Sequence, residues 1–272
     1  MAHIRMIILV LAIQSCSGAR PLSSSLALPG ASSRVPSAHA DEAAHLSSKQ
    51  ISIICFIKQK LGPSYYGMKN PAHVRDSAHQ SCAVVSSSGA MANHTHGQEI
   101  DNHDIVIRFN DAVTEGYQKQ VGSRTTLRLG WHMGTFEDDA SVFHGTAREV
   151  NATAAIQMLS HLYPTKLGMR AETDQATTGF YGMLWALFNC ASIDAYEMAP
   201  SEMAWKYPYC YYHSGMSATS NSYHSYFKAE HDLWRELSMT SWDIMSTTGR
   251  THSVGFMKVD CPDDFPQPGS LE

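Results

Sequence analysis

Two hydroxyl-rich turns in this 272-residue chain are the first candidates for chemistry. Ser86-Ser87-Ser88-Gly89 ends an apolar run from Cys82 to Val85, and Thr177-Thr178-Gly179 precedes Phe180, Met183, Leu184, Leu187 and Phe188 at helical spacing. A strand that breaks into a tight polar turn can bring backbone N–H groups and hydroxyls against a phosphate or a sugar. The free N–H groups and positive dipole end of a helix start make a natural anion site. Asn110, which closes the alternating run from Asp104 to Phe109, carries both a donor and an acceptor, as reading a nucleobase or ribose edge requires. Each feature also has a plain structural explanation: ordinary strands with polar loops, and Thr177 or Thr178 as a helix N-cap. Fifteen histidines raise a different chemistry. His94, His96 and His103 with Asp101 and Asp104 are ligand types for a zinc hydrolase, although His94 and His96 flank a threonine inside a glycosylation sequon.

The elements that must position these residues read as α/β. Cys82 to Val85, Asp104 to Phe109 and Thr125 to Leu129 have the pattern of strands, whereas Trp131 to Thr146 is irregular. Val150, Ala154, Met158, Leu159 and Leu162 recur at helical spacing, with Pro164 as the stop. A further amphipathic segment runs through Leu233, Trp234 and Leu237. The folded part is expected to begin near Ile51, where an apolar run to Ile57 surrounds Cys55. Residues 20–48 are rich in Ser, Ala and Pro with few large apolar side chains, and so read as a flexible stem. Ahead of them, Arg5 precedes eight apolar residues from Met6 to Ile13 and the small-residue site Ser17-Gly18-Ala19. That run is far short of the roughly 20 residues a spanning helix needs. It suits a signal peptide or a short signal anchor over residues 1–19, and either places the rest in the secretory lumen.

The bulk properties narrow the function. A hydrophobic content of 43% supports a packed core, and a net charge of -5 with pI near 6.3 offers no basic footprint for nucleic acid. A nucleotide would have to be held by local hydroxyls and dipoles. Six cysteines fit an oxidising lumen, and setting Cys16 aside with the leader leaves an odd number. Sequons at Asn93-His94-Thr95 and Asn151-Ala152-Thr153 agree with luminal exposure and make Asn93 and Asn151 candidate glycosylation sites.

The stretch from Cys82 to Leu129 resembles the large sialyl motif of the eukaryotic sialyltransferases, and is closest to the β-galactoside α-2,6 type. The likeness is carried by Cys82-Ala83-Val84-Val85-Ser86-Ser87, Gly97-Gln98-Glu99-Ile100-Asp101, His103-Asp104, Arg108-Phe109-Asn110-Asp111-Ala112 and Val121-Gly122-Ser123-Arg124-Thr125-Thr126, in register and without a gap. Ala176 to Pro200 looks like the small sialyl motif, with a cysteine at Cys190 followed by a strand like Ser192 to Met198. Cys210-Tyr211-Tyr212-His213 resembles the third motif. Tyr223-His224, followed at some distance by Glu230, resembles the fourth, with five intervening residues where the family has four.

The resemblance implies a Rossmann-like, GT-A-related single α/β domain over residues 49–272, with a mostly parallel sheet flanked by helices. It implies a glycosyltransferase moving sialic acid from CMP-sialic acid to a terminal galactose or N-acetylgalactosamine hydroxyl of glycoprotein or glycolipid glycans. Ser87 and Asn110 would contact the donor nucleotide, and Thr177, Thr178 and Gly179 would hold phosphate and sugar. Tyr211, Thr219 and Tyr223 would complete the donor pocket, and His224 would be the general base. Cytidine monophosphate is a leaving group of low basicity, so neither a metal nor a cofactor is expected, and direct displacement inverts the anomeric centre. Disulfides Cys82–Cys190 and Cys55–Cys261 are implied too, which leaves Cys210 without a partner. The implied location is the Golgi lumen, membrane-anchored, or else secretion. His231 meets the bare histidine-to-glutamate spacing with Glu236 but lacks the preceding tyrosine. Trp131 and His231 stand where the α-2,6 type has an asparagine and a lysine, and only about 45 residues separate the two main motifs. These departures keep a second reading open: a catalytically weak or inactive relative that binds glycans or nucleotides.

Overall fold

The computed structural model describes residues 42–65, 80–130, 143–146, 152–164, 176–217 and 226–271. A 3-10 turn, Glu42–His45, leads into α1 (Ser48–Tyr65). The start of α1 is fixed by a reciprocal cap: Gln50 N–H donates to the Ser47 hydroxyl (3.2 Å), and Ser47 N–H donates to Gln50 Oε1 (2.9 Å). Next come β1 (Ser81–Val85), a 3-10 turn at Gly89–Asn93, α2 (Gly97–Asp101), β2 (Ile105–Phe109), α3 (Gln118–Val121) and β3 (Leu127–Gly130). Then follow β4 (Phe143–Thr146), α4 (Ala152–Leu162), α5 (Thr178–Asn189) and β5 (Ser192–Tyr196). A hairpin of β6 (Pro208–Cys210) and β7 (His213–Ser217) precedes α6 (Phe227–Leu237), α7 (Trp242–Thr248) and β8 (Arg250–Val254).

The main sheet runs β4-β3-β2-β1-β5-β8, parallel throughout except for the antiparallel β8. This is the expected α/β architecture with a mostly parallel sheet. Two elements differ from the pattern in the sequence. β4 lies inside the stretch that reads as irregular; Phe-His-Gly-Thr has neither alternation nor length, and parallel pairing to β3 from Leu127↔Phe143 to Gly130↔Thr146 holds it. β5 stops at Tyr196, two residues short of Met198, because Glu197 takes φ 55 and turns the chain.

The two faces of the sheet follow the two-residue period of its strands. Cys82, Val84, Ile105, Ile107, Phe109, Leu127 and Leu129 face α1, α4, α5 and α6 in the larger core. Ala83, Val85 and Val106 face Met91, Ile100, Val121 and Tyr211 on the other side. All residues of α5 from Phe180 to Asn189 are buried, so its apolar residues serve on every side. It comes closest at Gly182, where a Cβ would lie 2.3 Å from the Phe109 ring. At the far end of α5, Cys190 is bonded to Cys82 of β1, with Cα atoms 6.1 Å apart; Cys55 of α1 is bonded to Cys261, with Cα atoms 5.5 Å apart. Cys210 is disulfide-bonded as well, which corrects the expectation that it lacks a partner.

A polar network seals the β5–β8 edge. Asp194 on β5 meets His103 Nε2 (3.0 Å), His252 Nδ1 (2.8 Å) and an Arg250 Nη (3.3 Å). His252 reaches Glu42 with its other nitrogen (3.4 Å), while Arg250 pairs with Glu99 (2.8 Å) and Glu99 with His96 (3.5 Å). His252 lies between two carboxylates, and the hydrogen bond to Asp194 outweighs burial to raise its pKa. Burial opposes the charge of His96, but Glu99 and the Thr248 carbonyl raise its pKa overall. Burial likewise opposes the Asp194 carboxylate, yet His103 and His252 hold it well below the usual range; His96 holds Glu99 down. The raised histidines contribute stability fully present below 6.5 and lost as pH rises through their folded values. The lowered carboxylates contribute stability present above 3.8 and 4.5 and lost as pH falls through theirs. His231 acts against the histidines, since its lowered pKa costs stability below 6.5. Thermal unfolding from about pH 4 to about pH 8 is expected to show a falling alkaline limb that His252→Gln flattens. An alkaline limb unchanged by that substitution would show that the network does not carry the dependence.

Candidate functional site

The chain order creates one crevice by topology. From β1 the sheet grows outward through β2, β3 and β4, whereas β5 adds on the other side of β1. The carboxyl ends of β1 and β5 therefore flank a switch point, the position where open α/β sheets bind ligands. Ser86-Ser87-Ser88 leaves β1 there, Asn110 leaves β2, and Glu197 leaves β5. Because α5 runs antiparallel to the strands, its first turn lies at the same edge; a Cβ on Gly179 would stand 2.9 Å from Met198 Cε, just beyond β5.

Each turn is held by its own chemistry. Ser86 N–H extends the β1–β5 ladder to the Tyr196 carbonyl (3.1 Å). The Ser86 hydroxyl accepts from Ser88 N–H (3.0 Å) and the Ser88 hydroxyl from Ala90 N–H (3.3 Å), which closes the turn. Gly89 is required because a Cβ would fall 2.1 Å from the Pro208 carbonyl oxygen, so only glycine lets the β6 strand pass. Asn110 has φ 48, a left-handed conformation that asparagine tolerates better than most side chains. Its N–H donates to the Leu129 carbonyl (2.9 Å), and buried Arg128 donates to the carbonyls of Asn110 (2.8 Å) and Ala112 (3.0 Å).

Tyr211 joins the two turns. Its N–H donates to the Ser87 carbonyl (3.0 Å) and its phenol to the Val113 carbonyl, while its ring packs edge-on against Tyr117 and Tyr212. Burial pushes the phenol up to about 12, so it remains a donor at neutral pH. Tyr211 thus ties the loop after Asn110 to the turn at Ser87.

Thr177 is the N-cap of α5. Its hydroxyl accepts from Phe180 N–H (2.9 Å) and donates to Glu230 Oε2 (2.6 Å), while its N–H donates to Glu230 Oε1 (2.9 Å). Glu230 comes from α6, is 2% exposed, and is pushed up to about 7 by burial against the pull of the Thr177 hydrogen bonds. It is a site residue that the sequence marked only through its spacing from His224. The amides of Thr178 and Gly179 remain as first-turn donors that no side chain takes among the described residues.

The histidines and acids of the zinc alternative diverge. His94 pairs with Glu197 (2.9 Å), His96 with Glu99, and His103 with Asp194. Asp101 accepts from the amides of Ser123 and Arg124, and Asp104 from Ser81. Among the described residues no three His, Cys, Asp or Glu side chains are grouped as metal ligands. Asn93 is exposed at the end of its 3-10 turn. Thr219, Tyr223, His224, Trp131 and Asn151 lie outside the described residues, as do the leader and most of the stem.

Residues 48–163 match the family model of glycosyltransferase family 29 (sialyltransferase). Over that stretch the chain is similar to the sialyltransferases. It is 27% identical over 228 residues to beta-galactoside alpha-2,6-sialyltransferase 2 of Xenopus tropicalis, covering 66% of this chain and 44% of that one. The human protein of the same name is 26% identical over 234 residues, covering 69% and 44%. Beta-galactoside alpha-2,6-sialyltransferase 1 of Mus musculus is 26% identical over 226 residues, covering 66% and 55%. The chain therefore spans about half the length of the curated relatives it matches. A crystal structure of a mammalian sialyltransferase in complex with Gal-beta-1-3GalNAc-ortho-nitrophenol aligns at 17% identity with a TM-score of 0.43, over 71% of this chain and 83% of that one.

Proposed function

We propose that this chain transfers sialic acid from CMP-sialic acid to a galactose-type hydroxyl of glycoprotein or glycolipid glycans. The observation that carries the reading is that three motif segments, Ser86–Ser88, Asn110 and Thr177–Gly179, all lie at the carboxyl edge of the sheet, beside the β1–β5 switch point. The hydroxyl turn and Asn110 would hold the nucleotide, and the first turn of α5 would stabilise the departing phosphate. An acceptor hydroxyl is a poor nucleophile near neutral pH, and His224 is the general base of the mechanism, with inversion and without a metal. The compartment is the secretory lumen, either the Golgi or the outside of the cell; among the described residues no helix is long and apolar enough to cross a membrane.

One observation favours the second reading, a nucleotide- or glycan-binding relative without turnover. The Thr177 hydroxyl is already committed to Glu230 and Phe180 before any ligand arrives. Release of cytidine monophosphate by the full chain, with CMP-sialic acid, a galactose-terminated acceptor and a chelator present, separates the two. Acceptor-dependent release that persists in chelator is the expected result. Nucleotide binding without release would establish the binding module instead.

A further inference from the structure

The first turn of α5 already contains an anion of the protein's own. Both Glu230 oxygens take hydrogen bonds from Thr177, at the positive end of a 12-residue helix, and the Glu230 side chain itself is buried while Thr177 to Gly179 are half-buried. A phosphate arriving at the neighbouring amides of Thr178 and Gly179 would meet that carboxylate as a like charge one residue away, and burial leaves the carboxylate little screened. Two anions so placed cannot both stay fully ionised at neutral pH, and the carboxylate, raised by burial to about 7, takes the proton ahead of a phosphate whose second ionisation lies at about 6.

We propose that binding of an anionic nucleotide at the start of α5 is coupled to uptake of a proton by Glu230. The inference rests on the transferase reading of that turn. When the carboxylate is protonated it can donate to the Thr177 hydroxyl, so the cap survives while the helix dipole is freed for the incoming phosphate. Departure of the nucleotide releases the proton. The site would thus favour bound phosphate on the acidic side of neutrality and release it on the alkaline side.

Among the described residues, the charged groups nearest Glu230 are already paired elsewhere. From α5 it faces Thr177 and the Tyr181 phenol, which burial keeps protonated and which also lies near Tyr226. On α6 itself Lys228 and Arg235 both pair with Asp232. From α1, Lys49 is paired with Glu236, and from β8, Arg250 and His252 are engaged by Asp194. No cation pairs with Glu230 among the described residues. Its placement near neutrality, about 7, leaves it largely ionised at mildly alkaline pH and ready to be driven over by a second anion.

The test is calorimetric titration of the full chain with cytidine monophosphate, at several pH values, in two buffers of different ionisation enthalpy. Above about pH 7.5 the free nucleotide phosphate is already dianionic, so protons taken up there are taken on binding, and a phosphorus NMR shift that stays at the free dianion's value assigns them to the protein. We expect uptake approaching one proton per nucleotide, with affinity falling about tenfold per pH unit above that point. Glu230→Gln, which keeps an acceptor for Thr177 N–H, is expected to bind without uptake and with affinity flat in pH. Binding without uptake by the unaltered chain, or uptake that persists in Glu230→Gln, overturns the coupling while leaving the nucleotide site in place. Absence of nucleotide binding at any pH overturns the site and the coupling together.

Discussion

His224→Ala is expected to lower acceptor-dependent turnover by about 10²- to 10⁴-fold, the range for loss of a general base, with nucleotide affinity and thermal stability little changed. His231→Ala is the informative control because it offers the alternative base. The structure gives His231 a different character. Its ring packs against Phe227 at 4.0 Å on α6, and burial together with the nearby Arg235 lowers it to about 3. A base so far below the working pH is a feeble proton acceptor, so removing it is expected to leave kcat nearly unchanged. An acidic limb in the pH–rate profile that vanishes in His224→Ala would complete the case. Turnover lost with His231→Ala and kept with His224→Ala would move the base onto α6, and turnover kept by both would remove the histidine mechanism altogether.

The likeness in sequence located segments better than it described their work. β1, β2 and α5 stand within a residue or two of their sequence positions because each carries a readable apolar pattern, a short run in β1, alternation in β2 and helical spacing in α5. β4 escaped because a four-residue strand held only by its neighbour has no periodicity to read. Thr177 shows the deeper limit. Its type and place suggested phosphate contact or a helix cap. The structure supplies the cap and adds Glu230, a partner 53 residues away that no local pattern ties to it. Proximity along the chain groups His103 with Asp101 and Asp104, yet its carboxylate partner is Asp194, 91 residues on. Buried charges choose partners across the sheet, and the sheet order is what decides who is near.

That dependence on long-range closure is why Cys82→Ala/Cys190→Ala is expected to be among the most damaging changes in the core. The bond closes a loop of 108 residues, and its loss is expected to cost about 2–5 kcal/mol, against a total of about 5–15 for a typical domain. Chain entropy alone points to the other bond. Cys55–Cys261 closes 206 residues, which the same logarithmic dependence makes worth about 0.6 kcal/mol more. Packing reverses the order. Cys82 and Cys190 are both 0% exposed, whereas Cys261 is only partly buried near the chain's end. Gly255 sits so tightly on Cys190 that a Cβ there would lie 1.7 Å from its carbonyl oxygen, so the Cys190 backbone can scarcely move to fill a void. Cys82–Cys190 also pins the rear of α5 to β1, and the front of α5 carries Thr177 to Gly179. Urea unfolding of the two double variants decides between entropy and packing. Greater loss in Cys82→Ala/Cys190→Ala, with weakened nucleotide binding under native conditions, is the expected outcome; greater loss in Cys55→Ala/Cys261→Ala would mean that loop length, not the fit of α5 on the sheet, sets the value of these bonds.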